Sequence, residues 1–193
     1  MVRGPYAKSS AKRRQILDAA LAVYAEAGSR KVSVREIAQR VGMTDAGVLH
    51  HFGSREALLT AVLEARDEAA AGGDPAETLA RNAATPGLVK LFMDVAAAAA
   101  EPSHPAHGYF TERYARYRRR VAGKLVRDGV PESDADWAAR ILLAATDGLQ
   151  VQWLLEPGID MAADLNRLAT LLTHLTDSPT TSSCGDDLPG RGH

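Results

Sequence analysis

The fold of this chain is decided by residues 33–58, SVREIAQRVGMTDAGVLHHFGSREAL. Apolar residues recur at i, i+3, i+4 and i+7 across residues 34–41, and this spacing predicts a short amphipathic helix. Ser33 and Glu36 have the spacing of a capping box at its start, and Gly42 is suited to end it because glycine tolerates left-handed backbone angles. A second short helix and a fresh helix start follow, so the segment predicts a helix-turn-helix.

The second helix is predicted to bury one face and to present small residues on the other. Thr44 is a good N-cap, and Val48 and Phe52 lie four residues apart on the face that packs. The outer face carries Asp45, Ala46, Gly47 and Leu49. Small residues permit close approach to another body, and the major groove of DNA admits one α-helix with its N-terminal residues against the base edges. The helix is therefore a candidate recognition helix.

Positive charge is concentrated near this segment. Arg55 directly follows the predicted N-cap Ser54, where a cation is unfavourable for the helix dipole, so its placement indicates an anion outside the protein. Residues 1–58 contain 10 Lys and Arg against 5 Asp and Glu, whereas residues 59–193 contain 13 against 19, within a net charge of -1. A basic head on an acidic body is typical of a phosphate-binding module joined to a domain that does not bind nucleic acid.

Over residues 13–63 the chain resembles the DNA-binding domain of TetR-type transcriptional regulators. The resemblance covers the capped first helix, the turn, the second helix and the following SREALL at residues 54–59. It implies phosphate contacts from Arg35, Thr44, His51 and Arg55, and places Asp45, Ala46 and Gly47 over bases. The family usually has Tyr where this chain has Leu49, so affinity for the DNA backbone is lower here or is carried by His50 and His51. The full predicted set of DNA-contacting residues is Ser33, Arg35, Thr44, Asp45, Ala46, Gly47, Leu49, His50, His51 and Arg55.

Helical patterns continue along the chain, with about nine predicted helices and no convincing strand. We therefore expect an all-α protein, in which an N-terminal three-helix DNA-binding domain precedes a C-terminal helical domain for ligand binding and dimerisation. The expected boundaries are a basic flexible arm over residues 1–9, the helix-turn-helix domain over 10–58, the C-terminal domain over 59–176 and a disordered tail over 177–193.

The helices predicted over residues 133–156 and 159–176 indicate association between two copies of the chain. The first is apolar around nearly its whole circumference, so packing on one side is insufficient to bury it. The second carries leucines three and four residues apart, a narrow seam suited to helix packing. The resemblance to TetR-type proteins implies a homodimer formed by these last two helices, and a core helix in a monomer is the alternative. The predicted interface residues are Leu149, Trp153, Leu165, Leu168, Leu172 and Leu175.

Aromatic residues interleaved with small ones in the C-terminal half indicate either a ligand pocket or plain core. The predicted pocket residues are Phe92, Phe110, Arg113, Tyr114, Tyr117, Trp137 and Gln150. As a pocket they would hold a mainly apolar small-molecule effector whose identity the sequence does not fix.

The expected function is a ligand-responsive, sequence-specific DNA-binding regulator. It would be a repressor that binds a palindromic operator as a dimer and is released by the effector.

Catalytic and cofactor motifs are absent from the sequence. There is no Gly-x-Ser-x-Gly elbow, no phosphate-binding Gly-rich loop and no cofactor fingerprint, so we expect neither an enzyme nor a bound cofactor. His104 and His107, with Glu101 and Glu112 nearby, support one alternative, an all-helical metal-binding protein or enzyme that uses these histidines. Pro105 interrupts the helix that would align them, and no third ligand has recognisable spacing.

Cysteine usage and hydropathy bear on the compartment. A single cysteine, Cys184, permits no intramolecular disulfide and suits the reducing cytosol. The N-terminus lacks the apolar stretch of a secretory signal, and no run reaches the ~18 to 20 consecutive apolar residues that a membrane span requires. We therefore expect a cytoplasmic protein with no membrane partner.

Overall fold

The computed structural model describes residues 5–28, 30–70 and 81–176. Within these ranges the chain forms helices and no strand, which confirms the all-α prediction. The helices are α1 (Pro5–Glu26), α2 (Val34–Arg40), α3 (Asp45–Phe52), α4 (Arg55–Ala69), α5 (Pro86–Ala98), α6 (His107–Arg127), α7 (Glu132–Leu155) and α8 (Met161–Thr176). Residues 81–84 are also helical. In the part of the chain described, no helix is long and apolar enough to cross a membrane.

Two expected boundaries differ from the structure. Helix α1 begins at Pro5, so the flexible arm expected over residues 1–9 is wrong for residues 5–9. Proline suits the first turn of a helix because its φ is already helical and its missing N–H is not needed there. Helix α4 continues without a break past residue 58, so the expected domain boundary falls inside one helix. The sequence also predicts a helix that begins near residue 74; its start and the expected tail over 177–193 lie outside the described residues.

The first hydrophobic core joins the helix-turn-helix to the body of the protein. Each of the first four helices contributes a side chain that is almost inaccessible to solvent, and α5 and α6 add aromatic rings to the same cluster. These side chains are Ile16, Ile37, Val48, Leu58, Phe92 and Phe110. Because burial of apolar surface is the main favourable contribution to folding, this shared core holds the head and the first part of the body together.

Gly87 lets α5 approach α1 closely. A Cβ atom at this position would lie 2.1 Å from the carbonyl oxygen of Tyr24 and 2.6 Å from that of Gly28. Both oxygens belong to the backbone and cannot move aside as the end of a flexible side chain can. Only glycine therefore fits where α5 crosses the end of α1.

The C-terminal helices bury residues that the sequence assigns to a dimer interface. Trp153 is 7% exposed and packs in one cluster with Val89 and Met161. Leu165 is 9% exposed and Leu172 is 3% exposed. The interface expected from these three residues is wrong, because their side chains face the interior of their own chain. Of the other members of that set, Leu149 and Leu168 are half-buried, and the side chain of Leu175 lies outside the described part.

An apolar stripe is exposed along the outer face of α7. We call it the α7 stripe; it comprises Trp137, Ile141, Ala144, Gly148, Val151 and Leu155, alternately four and three residues apart. Trp137 is 51% exposed, Val151 46% and Leu155 83%. On α8, Leu171 is 52% exposed. An average spacing of 3.5 residues is that of a helix which packs lengthwise against another helix.

The close crossing of α1 and α5 predicts that alanine substitution destabilises the protein much more at Gly87 than at a glycine with free space around it. Gly87→Ala is expected to lower the free energy of unfolding by about 3 kcal/mol, because the added methyl group meets backbone atoms that have no room to relax. Gly108→Ala is the matched control, since a Cβ atom there meets nothing within 4 Å. Its effect is expected to stay within about 1 kcal/mol. Urea unfolding of both variants provides the measurement, and equal losses would contradict the close approach.

Candidate nucleic-acid interface

A complete capping box fixes the start of α2. The Ser33 hydroxyl accepts a hydrogen bond from the backbone N–H of Glu36 at 3.3 Å, and the Glu36 carboxylate accepts one from the backbone N–H of Ser33 at 2.8 Å. The latter bond, together with a bond from the Arg30 guanidinium, lowers the pKa of Glu36 to about 2. The sequence signature of the cap is therefore confirmed.

The turn and the start of α3 are fixed in the same local way. Gly42 has a φ of 64°, and the backbone N–H of Met43 donates to the carbonyl of Ala38 at 2.9 Å. Thr44 then caps α3, with its hydroxyl oxygen accepting from the backbone N–H of Gly47 at 3.1 Å. Helix, turn and helix therefore follow one another as the sequence predicts.

The N-terminal half of α3 is open to solvent on its outer face. Asp45, Ala46 and His50 are exposed, and Gly47 is half-buried beside the side chains of Thr44 and Met43. Leu49 is predicted on the same face, and this is wrong, since its side chain is half-buried and packs against the first core. The buried face of this short helix therefore includes Leu49 in addition to Val48 and Phe52.

Two arginines beside α3 differ from their neighbours in having no ion-pair partner. Arg35 and Arg55 are exposed and pair with no carboxylate among the residues that the structure describes. By contrast, Arg30 and Arg40 each form an ion pair with a glutamate. An unpaired, exposed guanidinium remains free to bind a phosphate.

The two capping hydroxyls differ in what they still offer to a ligand. The Ser33 hydroxyl donates to the Glu36 carboxylate at 2.9 Å, so it has no hydrogen left for a phosphate. The Thr44 hydroxyl uses only a lone pair in its cap, so its hydrogen is free to donate. Of the two, Thr44 is suited to the predicted phosphate contact and Ser33 is not.

A second site lies where α4 meets α6. The Asp67 carboxylate accepts hydrogen bonds from the Tyr109 hydroxyl at 3.0 Å and from Arg113 Nε at 2.8 Å, and Arg116 lies at 3.5 Å. We call these four residues the Asp67 cluster. The side chains of Asp67 and Arg113 are only 11% and 16% exposed. Burial is the largest single effect and lowers the pKa of Arg113, but the Asp67 carboxylate together with Tyr109 and Tyr117 outweighs it, so the pKa is raised.

Most of the predicted pocket residues lie together beside the Asp67 cluster. The guanidinium of Arg113 stacks between the rings of Phe92 and Tyr117, at 4.4 Å and 4.6 Å from their centroids. Phe110 lies against Phe92 and also 6.2 Å from the ring of Tyr114. The remaining two differ: Trp137 belongs to the exposed α7 stripe, and Gln150 is buried.

A cavity of about 670 Å³ opens next to the Asp67 cluster. Its lining is Glu64, Asp67, Glu68, Gly108, Tyr109, Glu112, Arg116, Tyr117 and Arg120. Tyr117 is the residue that this lining shares with the predicted pocket. The sequence gives no short-range signal for Asp67, because its partners Tyr109 and Arg113 are 42 and 46 residues away along the chain.

The two histidines of the metal alternative are engaged with backbone groups. The Nδ1 atom of His104 accepts from the backbone N–H of Ala106 at 3.1 Å, and Nδ1 of His107 lies 2.9 Å from the carbonyl oxygen of Ala99. Over the described ranges, no three or more His, Cys, Asp or Glu side chains are placed to hold a metal ion. The structure thus gives the metal alternative no support.

The geometry of α2 and α3 defines the class of the protein. A short second helix whose N-terminal half is open to solvent and carries small residues, flanked by unpaired arginines, is typical of a helix-turn-helix DNA-binding protein.

Comparison with known proteins identifies the family. Residues 16–62 match the family described as bacterial regulatory proteins, tetR family. The HTH-type transcriptional repressor Rv1474c of Mycobacterium tuberculosis is 33% identical over 146 residues, covering 74% of this chain and 67% of that protein. The HTH-type transcriptional regulator BetI of Rhizobium meliloti is 30% identical over 158 residues, covering 73% of this chain and 77% of that protein. The chain belongs to the TetR family and is a DNA-binding transcriptional regulator.

Solved structures show that the fold extends beyond the matched domain. A transcriptional regulator from Rhodococcus sp. Rha1 is similar with a TM-score of 0.61 at 23% sequence identity, covering 85% of this chain and 95% of that one. The secondary repressor NalD of Pseudomonas aeruginosa is similar with a TM-score of 0.51 at 20% identity, covering 86% and 96%. The C-terminal helices therefore share the overall fold of these regulators.

The burial of the Asp67 cluster predicts that breaking its ion pair costs more stability than breaking an exposed ion pair of similar geometry. Asp67→Asn is expected to lower the free energy of unfolding by about 3 kcal/mol, because it leaves the buried guanidinium of Arg113 without its counter-charge. Asp94→Asn is the control: its carboxylate also lies 2.8 Å from a cation, Lys90, but 62% of its side chain is exposed. That change is expected to cost less than about 1 kcal/mol. Denaturant unfolding measures both, and losses of equal size would show that the Asp67 pair behaves as a surface pair.

Proposed function

We propose that α3 enters the major groove of DNA and that Asp45, Ala46 and Gly47 lie over base edges. The observation that carries this proposal is the open N-terminal half of the helix, where Asp45 and Ala46 are exposed and Gly47 has no side chain. Small side chains let the helix backbone come close to the groove floor, where sequence is read. Arg35, Thr44 and Arg55, with His50 and His51, would contact phosphates on either side. Because a 33% identical relative is named a repressor, we propose that this chain also represses transcription.

The phosphate contacts are tested with one pair of arginines. Arg55→Ala is expected to weaken binding to every duplex and to reduce the slope of log affinity against log salt by about 0.9, the value for one lost contact. Arg40→Ala is the matched control, because Arg40 is also an exposed arginine of the head but is paired with Glu26. The measurement is anisotropy titration at several salt concentrations, with a duplex recovered from random DNA by the full-length chain. A changed base preference with an unchanged slope would refute the phosphate assignment.

We propose that two copies of the chain pair through the α7 stripe. Its apolar side chains are exposed, and its small central residues Ala144 and Gly148 permit a partner helix to come close. A two-fold dimer would place the two copies of α3 in successive major grooves, ~34 Å apart, on a palindromic operator. The burial of Trp153 and Leu172 supports the stripe over the interface first expected, since four of the six large apolar side chains that are exposed in the described residues lie on the stripe.

Two valines of similar exposure test this surface. Val151→Asp is expected to yield monomers in sedimentation velocity, because the dimer would bury an unpaired carboxylate in an apolar contact. Operator affinity should fall with it, since two linked heads become independent. Val126→Asp is the matched control, as Val126 is 42% exposed against 46% for Val151 but belongs to α6 and is not a member of the stripe. If Val151→Asp remains dimeric, or if both variants dissociate alike, the stripe is not the interface.

We propose that an organic cation is the effector and that it binds the cavity beside the Asp67 cluster. Four carboxylates line this cavity against two arginines, so its lining disfavours an anion. Arg113, one of the pocket residues predicted from the sequence, is already paired with Asp67 and is not free to bind an anion. Arg116 is exposed and lies 5.5 Å from the ring centroid of Tyr117, a position that a ligand cation can take over. These charges are the reason for proposing a cation in place of the mainly apolar effector that the sequence suggests.

A thermal-shift screen tests the effector with quaternary ammonium ions, each beside its neutral isostere. Cations are expected to raise the unfolding temperature more than their isosteres do. Calorimetric titration of the cations that bind, with and without operator duplex, should then give affinities that differ by ~5- to 150-fold, the usual range of allosteric coupling. Equal stabilisation by cations and isosteres would refute the ligand class, and equal affinities in both titrations would refute the regulatory role.

A further inference from the structure

The recognition helix α3 is held in place by few side chains. It has eight residues, and Val48 is the one fully buried side chain among them. Helices shorter than about 12 residues are marginal on their own, so their position depends on packing and on contacts at their ends. The N-terminal end of α3 is fixed by the Thr44 cap. What fixes its C-terminal end therefore matters for how α3 meets DNA.

Arg13 of α1 contacts the C-terminal end of α3. Its guanidinium donates a hydrogen bond to the carbonyl of His51 and lies over the ring of Phe52, 4.2 Å from the centroid. The last carbonyls of a helix have no partner within the helix, and a cation there is favoured by the helix dipole. Arg13 thus caps the His51 carbonyl and at the same time packs on the aromatic ring of Phe52, the last residue of α3.

The neighbouring cations of α1 make only local contacts. Lys12 donates to Gln15 at 3.0 Å, and Arg14 lies 3.9 Å from Asp18, with both side chains of the latter pair largely exposed. Arg13 is the basic residue of this run that reaches another helix. Its sequence position suggests a contact to the DNA backbone, but its guanidinium is already committed to groups of the protein.

We propose that Arg13 is a positioning residue that sets the placement of α3, and therefore the discrimination between operator and other DNA. The proposal rests on the proposed contact of α3 with the major groove. A phosphate contact strengthens binding to all sequences alike and contributes to the salt slope. A positioning residue instead supports the contacts to base edges, which exist only on the correct sequence. The two roles therefore give different results in one experiment.

The test compares Arg13→Met with Arg14→Met in the full-length chain. Methionine removes the charge and the donor while it keeps an unbranched side chain with good helix propensity. Affinities are measured at several salt concentrations for the duplex that the wild-type chain selects from random DNA and for a scrambled duplex. Hydrogen exchange of the amides over residues 49–53 is followed in the absence of DNA. Arg13→Lys, which restores a cationic donor, serves as the conservative variant.

Arg13→Met is expected to lower the ratio of specific to non-specific affinity about tenfold, with the salt slope unchanged. Exchange should rise over residues 49–53 and stay unchanged in α1 and α4. Arg13→Lys should recover part of the ratio, and Arg14→Met should leave both ratio and exchange at wild-type values.

Three outcomes would overturn the proposal. A slope reduced by about one unit with an unchanged ratio would make Arg13 a phosphate contact. Unchanged ratio, slope and exchange would leave it without a role. Faster exchange throughout α1 and α4 would show general destabilisation of the head. If the wild-type chain selects no duplex, the proposed DNA contact fails instead, and the exchange data still decide whether Arg13 holds α3.

Discussion

Helix α4 is one rigid element that carries Arg55 at its first residue and Asp67 near its last. At a rise of 1.5 Å per residue, these two residues are separated by about 18 Å along the helix axis. Arg55, the candidate phosphate contact, and Asp67, the centre of the buried ionic cluster, therefore belong to the same continuous helix. In the proposed mechanism, a ligand that alters the contacts of Asp67 alters the position of Arg55. Such a ligand acts only to the extent that it binds the two arrangements with different affinity.

The packing of the head explains why a shift of α4 would matter for α3. Val48 of α3 and Leu58 of α4 lie in the same core as Ile16 of α1, and all three are fully buried. Well-packed cores change between discrete arrangements rather than deform continuously. Gly87 adds a second constraint, since it fixes α5 against the end of α1 through backbone contact. In the proposed mechanism, movement of the body would therefore reach the head through both α4 and α5.

Local signals in the sequence predict the helix-turn-helix closely, and contacts between distant residues account for what they miss. The caps at Ser33 and Thr44 and the turn at Gly42 involve residues three or four apart, so their hydrogen bonds can be anticipated from spacing. Leu49 is misplaced because burial of a residue on a short helix depends on its neighbours in space. Asp67 is missed because its partners lie on α6, far along the chain.

In the C-terminal domain, too, the sequence predicts a helix that is apolar on all sides but does not predict which residues face which neighbour. The sequence correctly indicates that α7 needs more than one packing surface, but periodicity alone does not tell which face meets the chain's own core. Trp153 turns inward and Trp137 outward, the reverse of the roles that the sequence suggests for them. The α7 stripe becomes visible only when the burial of each residue is known. The same holds for the cavity charges, since its carboxylates come from two separate helices.

The central claim, that two copies of α3 read DNA as a symmetric pair, is tested most directly by selection of bound duplexes from random DNA with the full-length chain. A symmetric pair should enrich an inverted repeat whose half-site centres are about 10 base pairs, or a small multiple of one helical turn, apart. Phosphate contacts alone would give no enriched sequence. Failure to enrich any sequence, or enrichment of a single asymmetric half-site, would contradict the claim.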